Sequence, residues 1–326
     1  MSLTPSADPG TTPTDGTDRP GLIEARPVRH PGRWVAIALI AVLSAMLANL
    51  IFTNEAFEWS FVFQAMVQSP VLHGLYVGTL LTTALSMVVG VSGGVLFAVM
   101  RLSPNPVLSG VAWVFTWFFR GVPRYVLLAT MGALGILFQK GLGLGVPFDT
   151  EIMQLLGMDG SLRFATLNAN ELFSGLFGAV LGLGLSEAAY MAEIARAGIL
   201  SVDKGQAEAA QALGMSSGKT MFRIVLPQAM RVIVPPTGNE AIAMVKDTSL
   251  LIALPLIDEL FFQLSSIGSR TYKVFPSFVA ATLWYLLVTS VLMVGQFYLE
   301  RHFGRGFGQK KPKDKRFARS AGMGGA

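Results

Sequence analysis

SEAAYMAEIARAGILSVDKGQAEAAQALGMSSGKTMFRIVLPQAMRVIVPPTGNEAIAMVKDTSLLIAL, residues 186–254, is the most informative segment of this chain. It begins with an apolar helical run, and it ends with a second apolar run that contains charged residues. Between them, residues 197–231 form a polar segment with the composition of two short helices joined by a turn. The stretch therefore predicts two membrane helices connected by a polar helical loop, which we call the hook.

Helix start and stop signals divide the hook into two helices. Asp203 followed by Gln206 resembles a capping box, and Gly214 supplies the left-handed residue that ends the first helix. The second helix is expected to end near Leu226, with Pro227 redirecting the chain. The first helix carries three small or apolar residues on one face: Ala209, Ala212 and Leu213. A docking partner and a packed connector without a partner explain this face equally well.

The composition of the chain predicts a membrane protein. Hydrophobic residues make up 52% and charged residues only 14%, with a mean hydropathy of +0.53, whereas a soluble chain carries about 25% charge. The net charge of +5 is no nucleic-acid signal, because the basic residues cluster beside apolar runs. There is no cysteine, and the three histidines are scattered. We therefore expect no disulfide, no metal site and no cofactor.

Six apolar runs are candidates for membrane spans. They are residues 34–53, 74–100, 102–139, 172–195, 232–256 and 274–299. The third is too long for one simple helix, and Gly121-Val122-Pro123 is expected to break it. A cleaved signal peptide is the competing interpretation of 34–53, but the apolar core is too long for one. Residues 1–33 have the composition of a disordered tail.

The placement of lysine and arginine predicts the orientation. With the N-terminus inside the cell, eighteen basic residues lie on cytoplasmic segments and four on external ones. The opposite orientation would reverse this bias. Both termini are therefore expected to be cytoplasmic, with residues 301–326 as a basic cytoplasmic tail.

Several charged residues lie in or beside the predicted spans: Arg120, Arg124, Glu187, Glu193, Glu240, Lys246 and Asp247. Each costs about 2.5–3.5 kcal/mol at the bilayer centre, so each needs a partner or water. On a helix, Asn239 and Lys246 share one face, and Glu240 shares another with Asp247. One interpretation is that these charges lock the helix bundle or a dimer. The other is that some line a hydrated substrate pathway, for which the candidates are Glu240, Asn239, Lys246, Glu187 and Arg120.

Two local patterns have structural rather than chemical explanations. GxxxG repeats begin at Gly74, Gly90 and Gly178 and indicate close helix packing. Residues 214–220, GMSSGKT, resemble a phosphate-binding loop, but they are one residue short and follow a helix instead of a strand. The chain is therefore not expected to bind ATP, and any energy must come from another subunit.

The hook also resembles a known family. Glu208-Ala209-Ala210, three residues, Gly214, nine residues, Ile224, one residue and Leu226-Pro227 is similar to the EAA loop of permease subunits of bacterial ABC importers. The flanking residues 187–190, 239–240 and 246–249 resemble the polar amino-acid branch of that family, and the resemblance covers residues 70–300. Residues 118–125, FFRGVPRY, depart from that branch's pattern of Phe-Arg-Gly-Thr-Pro-Leu-Leu, because Arg124-Tyr125 replaces the two leucines.

The resemblance implies an all-α membrane protein with the five-helix core of a type I ABC importer permease, preceded by one extra N-terminal helix. It implies that Glu208, Ala209, Ala210 and Gly214 dock on a separate ATPase subunit. A second permease subunit, identical or homologous, and an extracytoplasmic solute-binding protein would complete an importer of polar amino acids. No catalysis is expected in this chain. The alternative is an ion-coupled secondary transporter, which predicts inverted repeats that this sequence does not show.

Overall fold

The computed structural model of the chain describes residues 31–138, 141–158, 160–254 and 256–304. Most of the two predicted tails, 1–33 and 301–326, lies outside these residues. The helices are α1 Pro31–Thr53, α2 Trp59–Met66, α3 Ser69–His73, α4 Thr82–Arg101, α5 Pro106–Gly121, α6 Arg124–Leu137, α7 Asp149–Leu155, α8 Ala169–Phe173, α9 Gly175–Leu200, α10 Lys204–Ala212, α11 Ser217–Thr220, α12 Leu226–Asp247, α13 Leu260–Thr271 and α14 Val274–Phe303. The all-α prediction is confirmed, with one small addition. Strands β1 Leu142–Gly145 and β2 Arg163–Leu167 form an antiparallel hairpin.

The chain divides into two compact units, residues 1–54 and 55–326. In the first unit, α1 is long and apolar enough to cross a membrane. In the second, three helical segments meet the same criteria: Ser69–Arg101, Gly175–Leu200 and Val274–Phe303. The predicted run 102–139 is broken where the sequence indicates, because α5 ends at Gly121 and α6 begins at Arg124. The count of six spans remains a prediction.

Glycines bring α4 and α9 into close contact. A methyl group on Gly90 would lie 2.5 Å from Cγ of Glu187, and one turn later Gly94 faces Met191 in the same way. In the opposite direction, a methyl group on Gly184 of α9 would lie 2.7 Å from Cγ1 of Val89 on α4. Small residues allow two backbones to approach inside a membrane, where helices gain little from excluding water. The predicted packing role of the GxxxG repeat at Gly90 therefore agrees with the structure.

The second helix of the hook continues into the membrane helix that follows it. We predicted that Pro227 would redirect the chain, and this was wrong. Helix α11, a π-helical turn at Met221–Val225 and α12 follow without a break, so residues 217–247 form one long helical segment. Pro227 is tolerated because it lies in the first turn of α12, directly after the wider π-helical turn. Farther along, Gln296 of α14 donates a hydrogen bond to the carbonyl of Pro235 at 2.8 Å.

The hairpin and α7 form a small insertion between α6 and α9. Its centre is Asp149, whose Oδ1 accepts hydrogen bonds from Nε and Nη2 of Arg163 at 3.1 and 3.0 Å. Ser161 donates to the other carboxylate oxygen at 2.9 Å. The hydrogen bonds from Arg163, and then that from Ser161, hold the pKa of Asp149 below its usual range. This network fixes the two strands against α7.

Candidate functional site in the membrane bundle

Four charged side chains from three helices meet inside the bundle. Arg124, the first residue of α6, donates from Nη2 to Glu187 Oε2 at 2.8 Å and from Nη1 to Asp247 Oδ2. Glu240 lies beside them, with its Oε2 4.0 Å from the same Nη2. We call Glu187, Glu240 and Asp247 the acidic cluster. One guanidinium therefore faces three carboxylates.

Local sequence explains how these residues meet. Glu240 and Asp247 are seven residues apart on α12, so they share a face. Glu187 lies near the middle of α9, where Gly90 of α4 leaves room for its side chain. The break before α6 starts a new helix at Arg124, which turns the guanidinium toward both neighbouring helices. The pairing of Arg124 with the acidic cluster thus depends on the α5–α6 break.

The centre of the cluster is buried and retains an unused acceptor, whereas the Glu240 and Asp247 side chains are each 27% exposed. The Glu187 side chain is 0% exposed and that of Arg124 is 13% exposed. With all four groups charged, the formal charge is −2. Oε1 of Glu187 is buried and accepts no hydrogen bond from the described residues. A buried carboxylate oxygen without a donor is costly, so this arrangement favours an additional cationic donor.

An aromatic ring adjoins the cluster. The guanidinium carbon of Arg124 lies 4.8 Å from the centre of the Tyr190 ring, and that of Arg120 lies 5.6 Å from it. Arg120 also lines a cavity of about 340 Å³ together with Arg101 and Glu193. Such distances are within the range of cation–π attraction. The Tyr190 ring therefore contacts two guanidinium groups. One belongs to Arg124 at the acidic cluster, and the other belongs to Arg120, which lines this cavity of mixed charge.

The structure separates the predicted pathway residues into two groups. Glu187 and Glu240 belong to the acidic cluster, and Arg120 lies beside it on Tyr190. Asn239 and Lys246 are exposed on another face of α12. Lys246 borders a groove with Tyr285 and Phe278, and no ion pair joins it to the described part of the chain.

Sequence reasoning left two members of the site off its list of candidates. The shared face of Glu240 and Asp247 was a usable signal, since one candidate implied the other. Arg124 was included among the intramembrane charges that need a partner and was noted as a departure from a family pattern, but it was not a pathway candidate. An arginine that directly follows a helix-breaking proline within an apolar run was the signal for the centre of the site.

Glu259 is a further buried carboxylate that the sequence did not single out. It caps α13, and its Oε2 accepts from the backbone N–H groups of Phe261 and Phe262 at 2.7 and 3.1 Å. Three hydroxyl groups from other elements donate to Oε1, at distances between 2.6 and 3.3 Å: Tyr285, Thr79 and Thr248. Its partners are all uncharged donors. Glu259 therefore ties four segments together and serves the fold.

The first helix of the hook begins and ends as its sequence predicts. Asp203 caps α10 by accepting from the N–H of Gly205 at 2.7 Å, and Gly214 has a φ of +81°. Glu208 and Ala209 are exposed, and so is Leu213, at 85%. Ala210 faces inward and is only 5% exposed. The hook thus presents an outer face that includes Glu208 and Ala209.

A family model matches most of this chain. Residues 90–305 match the model described as binding-protein-dependent transport system inner membrane component. The structure is also similar to a solved one, a crystal structure of an amino acid ABC transporter with histidines. It aligns with a TM-score of 0.55 and 27% identity over 72% of this chain and 94% of that one.

Relatives of this chain are named as components of amino-acid transport systems. The chain is 46% identical to the arginine transport system permease protein ArgU of Corynebacterium glutamicum, over 90% of this chain and 87% of the relative. It is 37% identical to the histidine/lysine/arginine/ornithine transport system permease protein HisM of Salmonella typhimurium, over 64% of this chain and 79% of the relative. These matches do not favour the secondary transporter alternative. The chain belongs to the family of binding-protein-dependent inner-membrane transport components, as a permease subunit of an amino-acid ABC importer.

Proposed function

We propose that this permease imports cationic amino acids, of which arginine is the best candidate. The observation that carries the proposal is the acidic cluster, where three carboxylates share one guanidinium. A pathway with a formal charge of −2 at its buried centre attracts a cation and repels an anion. The names of two relatives, which include arginine, support the same substrate class.

Coupling to ATP hydrolysis is proposed to run through the hook. The exposed outer face with Glu208 and Ala209 would dock on a separate ATPase subunit. Ala210 would instead hold α10 against the rest of the hook, because it is buried, and Gly214 would set the angle between the two helices. The hook continues into α12, so movement of the ATPase would reach Glu240 and Asp247 through one helical segment.

The complete importer is proposed to contain two permease subunits, identical or homologous, two ATPase subunits and a solute-binding protein. Both termini of the permease would be cytoplasmic, as the distribution of basic residues predicts. The solute-binding protein would deliver the amino acid from outside. Alternating access driven by the ATPases would then expose the acidic cluster to each side in turn.

Uptake by the reconstituted complex tests the substrate. Proteoliposomes that contain the permease with its ATPase and solute-binding protein should accumulate labelled arginine when ATP is enclosed. Citrulline is the matched control, because it has almost the shape of arginine but a neutral side chain. Uptake of citrulline or glutamate at the rate of arginine would contradict the proposal.

Two substitutions separate the pathway from structural roles. Glu240 makes no hydrogen bond to Arg124, so Glu240→Gln should leave assembly intact while arginine uptake falls by about ten-fold or more, equivalent to about 1.4 kcal/mol. Lys246→Met, on the other face of α12, is the control and should reduce uptake much less. The amount of assembled complex is measured beside uptake. Normal uptake by Glu240→Gln would remove this residue from the pathway.

A further inference from the structure

We infer that Arg124 is a displaceable counter-ion, which occupies the position of the substrate's cationic group until the substrate arrives. This inference rests on the proposed function and adds a selectivity mechanism to it. In the structure the chain's own guanidinium lies where the three carboxylates converge. Arg124 thus carries the same guanidinium group that an arginine substrate would bring.

The site offers more acceptors than Arg124 uses. A guanidinium has five N–H donors in a planar fork, yet Arg124 gives hydrogen bonds to only two of the three carboxylates, those of Glu187 and Asp247. Glu240 lies at 4.0 Å, and Oε1 of Glu187 has no donor among the residues that the structure describes. The Glu240 side chain is 27% exposed, so an incoming guanidinium or ammonium group can reach its carboxylate before Arg124 has moved. The buried Oε1 of Glu187 becomes available only as Arg124 leaves.

Arg124 keeps an attractive neighbour if it leaves the carboxylates. Tyr190 lies 4.8 Å from its guanidinium carbon, so the long side chain can leave the carboxylates while it stays over the ring. The side chain is 13% exposed and therefore borders accessible space. Arg120 lies over the same ring at 5.6 Å, so both guanidinium groups share its attraction.

Displacement of this kind discriminates by charge. If Arg124 leaves without a replacement, three carboxylates remain together in a site of low dielectric constant, and this state is strongly disfavoured. A neutral amino acid cannot neutralise them, so Arg124 stays. A cationic amino acid can, and it thereby opens the site. Arg124 is thus a specificity-determining residue, and its own guanidinium competes with the substrate.

The test is direct binding of amino acids to the assembled permease–ATPase complex in lipid nanodiscs, without the solute-binding protein. Removing the internal competitor should increase the fraction of binding-competent sites. Arg124→Met should therefore bind labelled arginine roughly ten-fold more tightly than the unmodified complex. Neither complex should bind citrulline. Unchanged or weaker arginine binding by an assembled Arg124→Met complex would overturn the inference.

A second substitution decides the question if Arg124→Met does not assemble. Arg124→Lys keeps the positive charge and loses the planar fork, so it should compete less well and allow arginine to bind several-fold more tightly. A purely structural ion pair predicts equal or weaker binding. Arg120→Met is the matched control, because it removes a cation from the same ring without touching a carboxylate. Equal tightening by Arg120→Met would show a general charge effect and would refute displacement.

The same measurements distinguish the two proposals. If the unmodified complex neither binds nor imports any cationic amino acid, the proposed function fails. If it imports arginine but Arg124→Met and Arg124→Lys bind no more tightly, only the counter-ion fails.

Discussion

Gly90 is the residue on which the position of Glu187 depends. A methyl group at this position would lie 2.5 Å from Cγ and 2.7 Å from Cβ of Glu187, which is closer than real contacts allow. Gly90→Ala should push the carboxylate away from Arg124 and reduce arginine uptake. Gly110→Ala is the control, because nothing lies within 4 Å of the added group. Equal uptake by both variants would show that Glu187 tolerates displacement.

Glu259 should be more important for stability than for transport. Glu259→Gln replaces one acceptor oxygen by an amide that donates, so buried donors lose their partner. Loss of a single hydrogen bond to a charged group costs about 1.5–3 kcal/mol. Asp258→Asn is the matched control, because the Asp258 side chain is 48% exposed. The free energy of unfolding, or the thermal midpoint of the purified complex, should fall clearly for Glu259→Gln alone.

The elements themselves were largely predictable from the sequence, and the contacts between them were not. Gly214 and Asp203 define α10 because capping and left-handed residues act locally. Pro227 misled the prediction, since a π-helical turn before it relieves the clash that proline normally causes. Arg124 contacts Asp247 across 123 residues of sequence, and a local sequence pattern cannot predict a contact between residues so far apart.

The hook gives the sharpest prediction for a single element. Gly214 has a φ of +81° and open space around it, so a side chain there meets backbone strain instead of a steric neighbour. Gly214→Ala should destabilise the turn by about 1–2 kcal/mol and weaken binding of the ATPase. Gly218→Ala, in α11, has equally open surroundings without a positive φ and serves as the control. ATPase retention during purification of the permease measures the difference.

For the whole molecule, the orientation in the membrane can be tested with cysteines, because the chain contains none. Gln154→Cys, exposed on α7, should react with an impermeant maleimide added outside the cell. Ser320→Cys, in the basic tail, should react only after the membrane is opened. Labelling of Ser320→Cys in intact cells would refute the cytoplasmic C-terminus.

Residues 217–247 form one helical segment from the hook to Asp247, with Pro235 and Pro236 inside it, and we expect this segment to act as a lever. At 1.5 Å per residue this rod is roughly 45 Å long. Gln296 is hydrogen-bonded to it at Pro235. The distance along the helix from Pro235 to Asp247 is roughly 18 Å. A tilt of about 5° around that fulcrum would shift the Asp247 carboxylate by roughly 1.5 Å at this arm length, enough to break its hydrogen bond to Arg124. A small movement of the hook would thus weaken the hydrogen bond between Asp247 and Arg124 at the other end of the helical segment.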